Sequence, residues 1–357
     1  GNMLGPRTVA ARRMLKRTAI QGGLEAVSLL SKTGLMPGAR AMGAIFTLHH
    51  VRPAVDKTFD PAAHLSITPE FLEASILRLK ADGHVPVALN TLPEFLARPD
   101  RPGPAMVFTL DDGYRDNDRF ARPIFEKHGI PYTIFISGGF VDRTHSIWWE
   151  TAEQLLSQID AFTFDFGYGE ETLATRKPIE KYAAFDRLNQ ALVCTEQKAI
   201  VERLDVQARA AGICPTGIVD REVMSEAELR ALASTELASL GAHTISHPNL
   251  AHVSADEMRA EIRQSAERVA AITGEQPDTL AYPYGDRCAA GSREYQAARE
   301  LGFRLAVTTN PGMLRASSLA NLFSLNRISL NGYYQKSRYV GALASGIPFT
   351  LSGRDHG

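Results

Sequence analysis

From Gly43 onward the chain alternates short β-rich runs with helical patterns, and that alternation limits the fold more than any other feature. The expected strands are Ala44–His49, Ala105–Leu110, Tyr132–Ser137, Ala238–His243, Thr279–Tyr282, Arg304–Thr308 and Phe323–Ser329. Helix starts lie between them. Thr68 precedes Pro69 and Glu70, a helix opening with proline at its first position, and Ser225/Glu228 and Ser254/Glu257 read as capping boxes. Strands that alternate with helices predict a parallel sheet, and seven in a row predict an α/β fold, a distorted (β/α) barrel closed on itself. In such barrels reactive groups gather where strands end. Here those positions hold His49, Asp111, Asp112, His243 and Tyr284.

Two stretches break the pattern. Residues 1–42 carry Arg7, Arg12, Arg13, Lys16, Arg17, Lys32 and Arg40 against the single acid Glu25. The expectation is an amphipathic helical arm that packs on the main domain or on a second copy; contact with an anionic membrane surface is the sharper alternative. Gln21, Gly22, Gly23 and Glu25 interrupt the apolar run that a secretory leader needs, so a cytoplasmic protein is expected. The main domain is taken as 43–345, followed by a tail at 346–357. Between about 145 and 220 the sequence turns helical and charge-rich, with Pro178 opening a long segment through Ala211. This reads as an insertion at the barrel mouth. The formal net charge of -1 gives no global field favouring nucleic acid or membrane, and no apolar run reaches the length of a membrane span. Cys194, Cys214 and Cys288 are too few and too scattered for a disulfide framework, and Cys288 is expected to be a packed thiol.

Three motifs carry chemistry. In FTLDDGYRDN, Phe108–Asn117, an apolar strand runs into two adjacent carboxylates. Strand neighbours face opposite ways, so Asp111 and Asp112 can divide metal binding and proton acceptance between them; a plain turn is the bland alternative. In GAHTISHPNL, Gly241–Leu250, His243 and His247 stand four apart after a β-rich run. With Asp112 they make a three-ligand cation site with open positions. In AYPYGD, Ala281–Asp286, a rigid turn exposes backbone N–H groups that can stabilise an oxyanion.

These motifs resemble those of the polysaccharide deacetylase family, the chitooligosaccharide deacetylase-like carbohydrate esterases. FTLDDGY is similar to the family's Thr-Phe-Asp-Asp-Gly motif, AHTISHPNL to its His-(Ser/Thr)-x-x-x-His metal motif, and AYPYG to its Arg-x-Pro-Tyr motif. The resemblance covers roughly residues 43 to 330. It implies a metal-dependent hydrolase that removes N-acetyl, or else O-acetyl, groups from an acetylated carbohydrate, metal-bound water attacking the acetyl carbonyl. Asp111 would be the general base, Asp112, His243 and His247 the ligands of one divalent cation, and the Tyr284 amide an oxyanion donor. Zinc is the default ion, with cobalt, nickel and iron also suited.

Two departures reshape the site. Ala281 stands where the family has a base-orienting arginine, and LNRISL carries Arg327 where the family supplies a catalytic histidine. Arg327 is expected to reach in from the last strand and hold Asp111. His49 is then the first candidate for general acid, ahead of His50. Trp148 and Trp149 are expected either to pack the insertion onto the barrel or, with Tyr114 and Pro283, to bind the sugar. The competing readings are a same-barrel amidohydrolase acting on a small cyclic amide and a non-catalytic metal-containing carbohydrate-binding protein. The presence of Asp111 beside Asp112 argues against the latter, since a binder needs no base.

Overall fold

The computed structural model describes residues 5–353. Seven parallel strands build the barrel wall: β1 (Gly43–Leu48), β2 (Ala105–Asp111), β3 (Tyr132–Ile136), β4 (Ala238–Ala242), β5 (Thr279–Ala281), β6 (Leu305–Val307) and β7 (Ile328–Ser329). Their spatial order is β6-β5-β4-β3-β2-β1-β7, and a two-residue strand, Val85–Pro86, adds to the start of β2. Phe46 of β1 lies between Phe108 of β2 and Ile328 of β7. The last expected strand is cut short. Leu325 bridges Val307 of β6 while Ile328 pairs with β1, so one kinked segment joins the two sides of the curled sheet.

Every residue of β1, β2 and β3 is buried, as expected of parallel strands covered on both faces. Side-chain parity sorts them. Ala44, Phe46, Leu48, Phe108 and Leu110 face the surrounding helices. Ile45, Ala105, Val107, Leu305 and Leu325 fill the barrel interior. Asp111 shares the parity of Ala105 and Val107, and Arg327 that of Leu325, so both point inward.

The longer helices are α1 (Pro6–Lys32), α2 (Pro69–Ala81), α3 (Arg122–His128), α4 (Trp148–Gln158), α5 (Pro178–Cys194), α6 (Gln197–Ala210), α7 (Pro215–Glu222), α8 (Glu226–Ala233), α9 (Ala255–Thr273), α10 (Ser292–Glu300) and α11 (Ser337–Ala344). Thr68 caps α2 by accepting from the Phe71 amide, and Ser225 with Glu228 makes a full capping box on α8. At Ser254 only the serine accepts, from the Glu257 amide.

The segment from 145 to 220 differs from expectation in two ways. It contains an antiparallel hairpin, Ala161–Asp165 with Glu170–Ala174, and its long helix is two, because Thr195 is extended at φ -141°. Its apolar cluster also takes in Phe59, Tyr114 and Phe140 from the barrel side. On α1, Leu24 and Val27 pack with Tyr339, Ala342 and Ile347, and Arg338 grips Glu25 at 2.6–3.1 Å. All three cysteines are exposed and free. The packed thiol expected at Cys288 is not found, because its amide binds the Asp286 carboxylate in an exposed turn. No helix among the described residues is long and apolar enough to cross a membrane.

Candidate active site

Strand β2 delivers Asp111 inward, and the chain then reverses hand, with Asp112 at φ 83° and Gly113 at φ 72°. The Asp112 amide stays tied to the Phe135 carbonyl at 2.9 Å. His243 follows β4, its Nδ1 2.7 Å from the Ala281 carbonyl. A carbonyl only accepts, so Nδ1 carries the proton and the Nε2 lone pair faces the barrel centre. His243 Nε2 and His247 Nε2 lie 3.5 and 3.4 Å from Asp112 Oδ1. One donor atom from each of the three falls within 4.8 Å of the others.

Both Asp112 oxygens are buried and without a hydrogen-bond partner. Burial raises the carboxyl's pKa, but the two imidazoles outweigh it and hold it well below the usual range. An ionised, desolvated carboxylate with unused lone pairs beside two imidazoles fits a divalent cation by donor chemistry. The loop between the histidines is held by its own contacts. Thr244 and His247 have φ of 70° and 57°, and Thr244 Oγ1 accepts from the His247 amide at 3.1 Å. Glu261 of α9 accepts from the amides of Ile245 and Ser246 and from the Ser246 hydroxyl. With Tyr284 at φ 63°, four of the seven non-glycine residues in positive φ among the described residues belong to this site. Such conformations cost on the order of 1–3 kcal/mol each and persist where the surroundings impose them.

Beside this group, Arg327 Nη1 and Nη2 donate to Asp111 Oδ1 and Oδ2 at 2.8 and 2.9 Å. Two further donors go to the Thr308 carbonyl and Thr109 Oγ1 at 2.7 and 3.1 Å. Burial alone raises the Asp111 pKa. The Arg327 charge, with His243 next, overrides it and holds the carboxyl below its ordinary value. His49 Nε2 is 3.9 Å from Asp111 Oδ2, on a side chain 21% exposed. Burial lowers its pKa, and the charges of Asp111 and Asp112 only partly compensate. His50 faces elsewhere. Its nitrogens meet Asp116 at 2.5 Å and Glu150 at 2.8 Å, and its ring stacks on Tyr114 with centroids 3.6 Å apart. With both nitrogens occupied, His50 ties β1 to α4 and has none left for a substrate. The Tyr284 amide has no acceptor among the described residues, while its carbonyl is held by Thr309 Oγ1.

The family model for polysaccharide deacetylase matches residues 98–306, more than half of the chain and spanning Asp111, Asp112, both histidines and the AYPYG turn. The chain belongs to the polysaccharide deacetylase family. No curated protein matches it in sequence. Among solved structures it is similar to the Streptococcus pyogenes deacetylase PplD in complex with acetate, with 16% identity, a TM-score of 0.52, and coverage of 81% of this chain and 92% of that one. A de-N-acetylase from Aggregatibacter actinomycetemcomitans gives 12% identity, TM-score 0.51, and coverage of 80% and 93%. A polysaccharide deacetylase from Bacillus cereus gives 14%, 0.52, and 84% and 68%. These likenesses concern the fold.

In this polysaccharide deacetylase chain Trp148, Trp149, Tyr114 and Pro283, expected either to pack or to bind the sugar, are all buried. The Trp149 indole donates to Tyr114 Oη at 3.1 Å and the Trp148 indole to Tyr284 Oη at 3.0 Å. The indoles brace the site from behind: Trp149 packs 5.0 Å from the His247 ring, and Trp148 holds the Tyr284 phenol. Gln197, at the start of α6, accepts from Tyr284 Oη at 3.2 Å, and its own Nε2 is buried without a partner. Sequence reading missed Gln197, Glu261 and Thr109, since each acts across a separation that no local pattern marks.

Proposed function

We propose that this chain hydrolyses N-acetyl groups on a carbohydrate, with Asp112, His243 and His247 holding one divalent cation and Asp111 acting as general base. The observation that carries this reading is Asp111, clamped through both oxygens by Arg327, immediately beside the buried Asp112–His243–His247 group. Zinc suits two imidazoles and a carboxylate best; cobalt, nickel and iron accept the same donors. A divalent cation, when bound, supplies Lewis acidity for the acetyl carbonyl and acidifies water at neutral pH.

The chain's own residues do the rest. Arg327 keeps Asp111 ionised and fixed in rotation, so its carboxylate stands ready to take a proton from the attacking water. The Tyr284 amide, with no internal acceptor, is available to the developing oxyanion. His49 is the titratable group beside Asp111 that keeps some exposure, and we assign it the relay: it takes up the proton that Asp111 accepts from water and delivers it to the leaving nitrogen. Barrel and insertion side chains bury the ligands and exclude water, which strengthens each of these interactions.

The test is acetate release from a panel of N-acetylated and O-acetylated oligosaccharides by protein reconstituted with zinc, cobalt, nickel or iron. Release from N-acetylated members that chelation abolishes and metal restores is the expected result. Silence across the panel with the metal bound would reject the reading.

A further inference from the structure

The outer side of α1 is unpartnered, and its chemistry is specific. Ala11, Leu15, Thr18, Gly22, Ala26 and Leu29 recur at spacings of three and four, and all are exposed. That spacing puts them on one stripe of the helix. Leu15 is 71% and Leu29 65% exposed, and Met14 beside them is 71% exposed. The stripe carries no charge. Its edges do: Arg7, Arg12 and Lys16 are all exposed.

The first acid in the sequence is Glu25, and its carboxylate, on a side chain 40% exposed, is already paired with Arg338 and Tyr339. Arg13 and Arg17, on the inner side, rest on the rings of Tyr182 and Tyr333 at 5.1 and 3.9 Å. Among the described residues none of these five bases has a carboxylate within ion-pair distance. Half of α1 is therefore a helix with an apolar outer stripe, basic edges and no acid.

We infer that this face of α1 docks on an anionic lipid surface. The helix lies flat, since it is not apolar enough to cross. Leu15, Leu29 and Met14 enter the boundary of the acyl region, and the basic edges meet anionic headgroups. A second copy is the weaker occupant on charge: two such faces brought together would set basic rows against each other without an acid to answer them. Tyr333 lies in the loop after β7, at the C-terminal end of the barrel where Asp111 and Arg327 sit, so docking through α1 holds that rim beside the lipid.

The experiment uses the full chain and two vesicle preparations, phosphatidylcholine alone and equal parts phosphatidylcholine and phosphatidylglycerol, with the bound fraction read by flotation. Binding to the anionic vesicles is expected, weakening as salt is raised. The pair Arg12→Glu with Lys16→Glu, and separately the pair Leu15→Glu with Leu29→Glu, should each lower the vesicle partition constant at least about tenfold. These positions are exposed, so the melting temperature should not move. Absence of binding to anionic vesicles, equal binding to neutral ones, or native binding by the leucine pair overturns the inference. Elution as a dimer that the leucine pair dissolves assigns the stripe to a second copy and overturns it too.

Discussion

Arg327 and Asp111 meet through two parallel hydrogen bonds of 2.8 and 2.9 Å, both side chains almost fully buried, although 216 positions separate them in the chain. The last barrel strand thus fixes a carboxylate that the second strand delivers.

Arg327→Lys keeps the charge and loses the fork. Turnover should fall about tenfold to a hundredfold, because a carboxylate displaced by about 1 Å loses its alignment. Bound metal, measured by elemental analysis, should stay near native. Arg327→Met leaves Asp111 buried and unpaired, and should destabilise by about 3–5 kcal/mol in denaturant unfolding. A native rate for the lysine variant would remove Arg327 from the account of the base.

Asp111→Asn should retain the metal while acetate release drops about 10²–10⁴-fold. Asp112→Asn should do the reverse, losing the metal first. Asparagine tolerates the left-handed backbone at position 112, so the fold survives the change. Parallel metal titration and single-turnover assays separate the two, and equal metal loss in both would contradict the division of labour.

His49→Gln should slow release from amides more than from activated esters, whose leaving groups depart without a proton. The ratio of the two rates is the readout. An equal slowing of both would assign His49 to positioning.

The His50 contacts carry a pH signature in stability. Burial lowers the His50 pKa, but Asp116 and Glu150 together raise it to about 9, against an ordinary 6.5. The folded state then binds the proton more tightly than the unfolded chain. Its contribution is complete below pH 6.5 and is lost as pH rises through about 9. It amounts to at most on the order of 3 kcal/mol. Urea midpoints measured across that window should fall with pH in the parent protein and much less in His50→Gln.

The sequence by itself determined the barrel strands apart from the length of the last, because parallel strands buried on both faces read as short apolar runs between helical periods. It also exposed Asp111, Asp112, His243 and His247, since two carboxylates or paired imidazoles at a strand end serve no packing purpose. Inward parity made Arg327 a legible partner for Asp111, as both follow the period-two alternation of strands in one curled sheet.

The tertiary structure alone decided the rest. Nothing local distinguishes His49, which approaches Asp111, from His50, which is sequestered between Asp116 and Glu150. The pair diverges because adjacent residues at a strand end point oppositely, and α4 arrives to claim only one of them. Trp148 and Trp149 read as packing or as a platform until the insertion folds over and gives each indole N–H a tyrosine hydroxyl. Glu261 and Gln197 come from helices whose patterns record only their own amphipathic faces, and their reach into the site depends on how those helices dock. Contacts between distant segments depend on packing geometry, and a one-dimensional pattern records only which face of each element is buried.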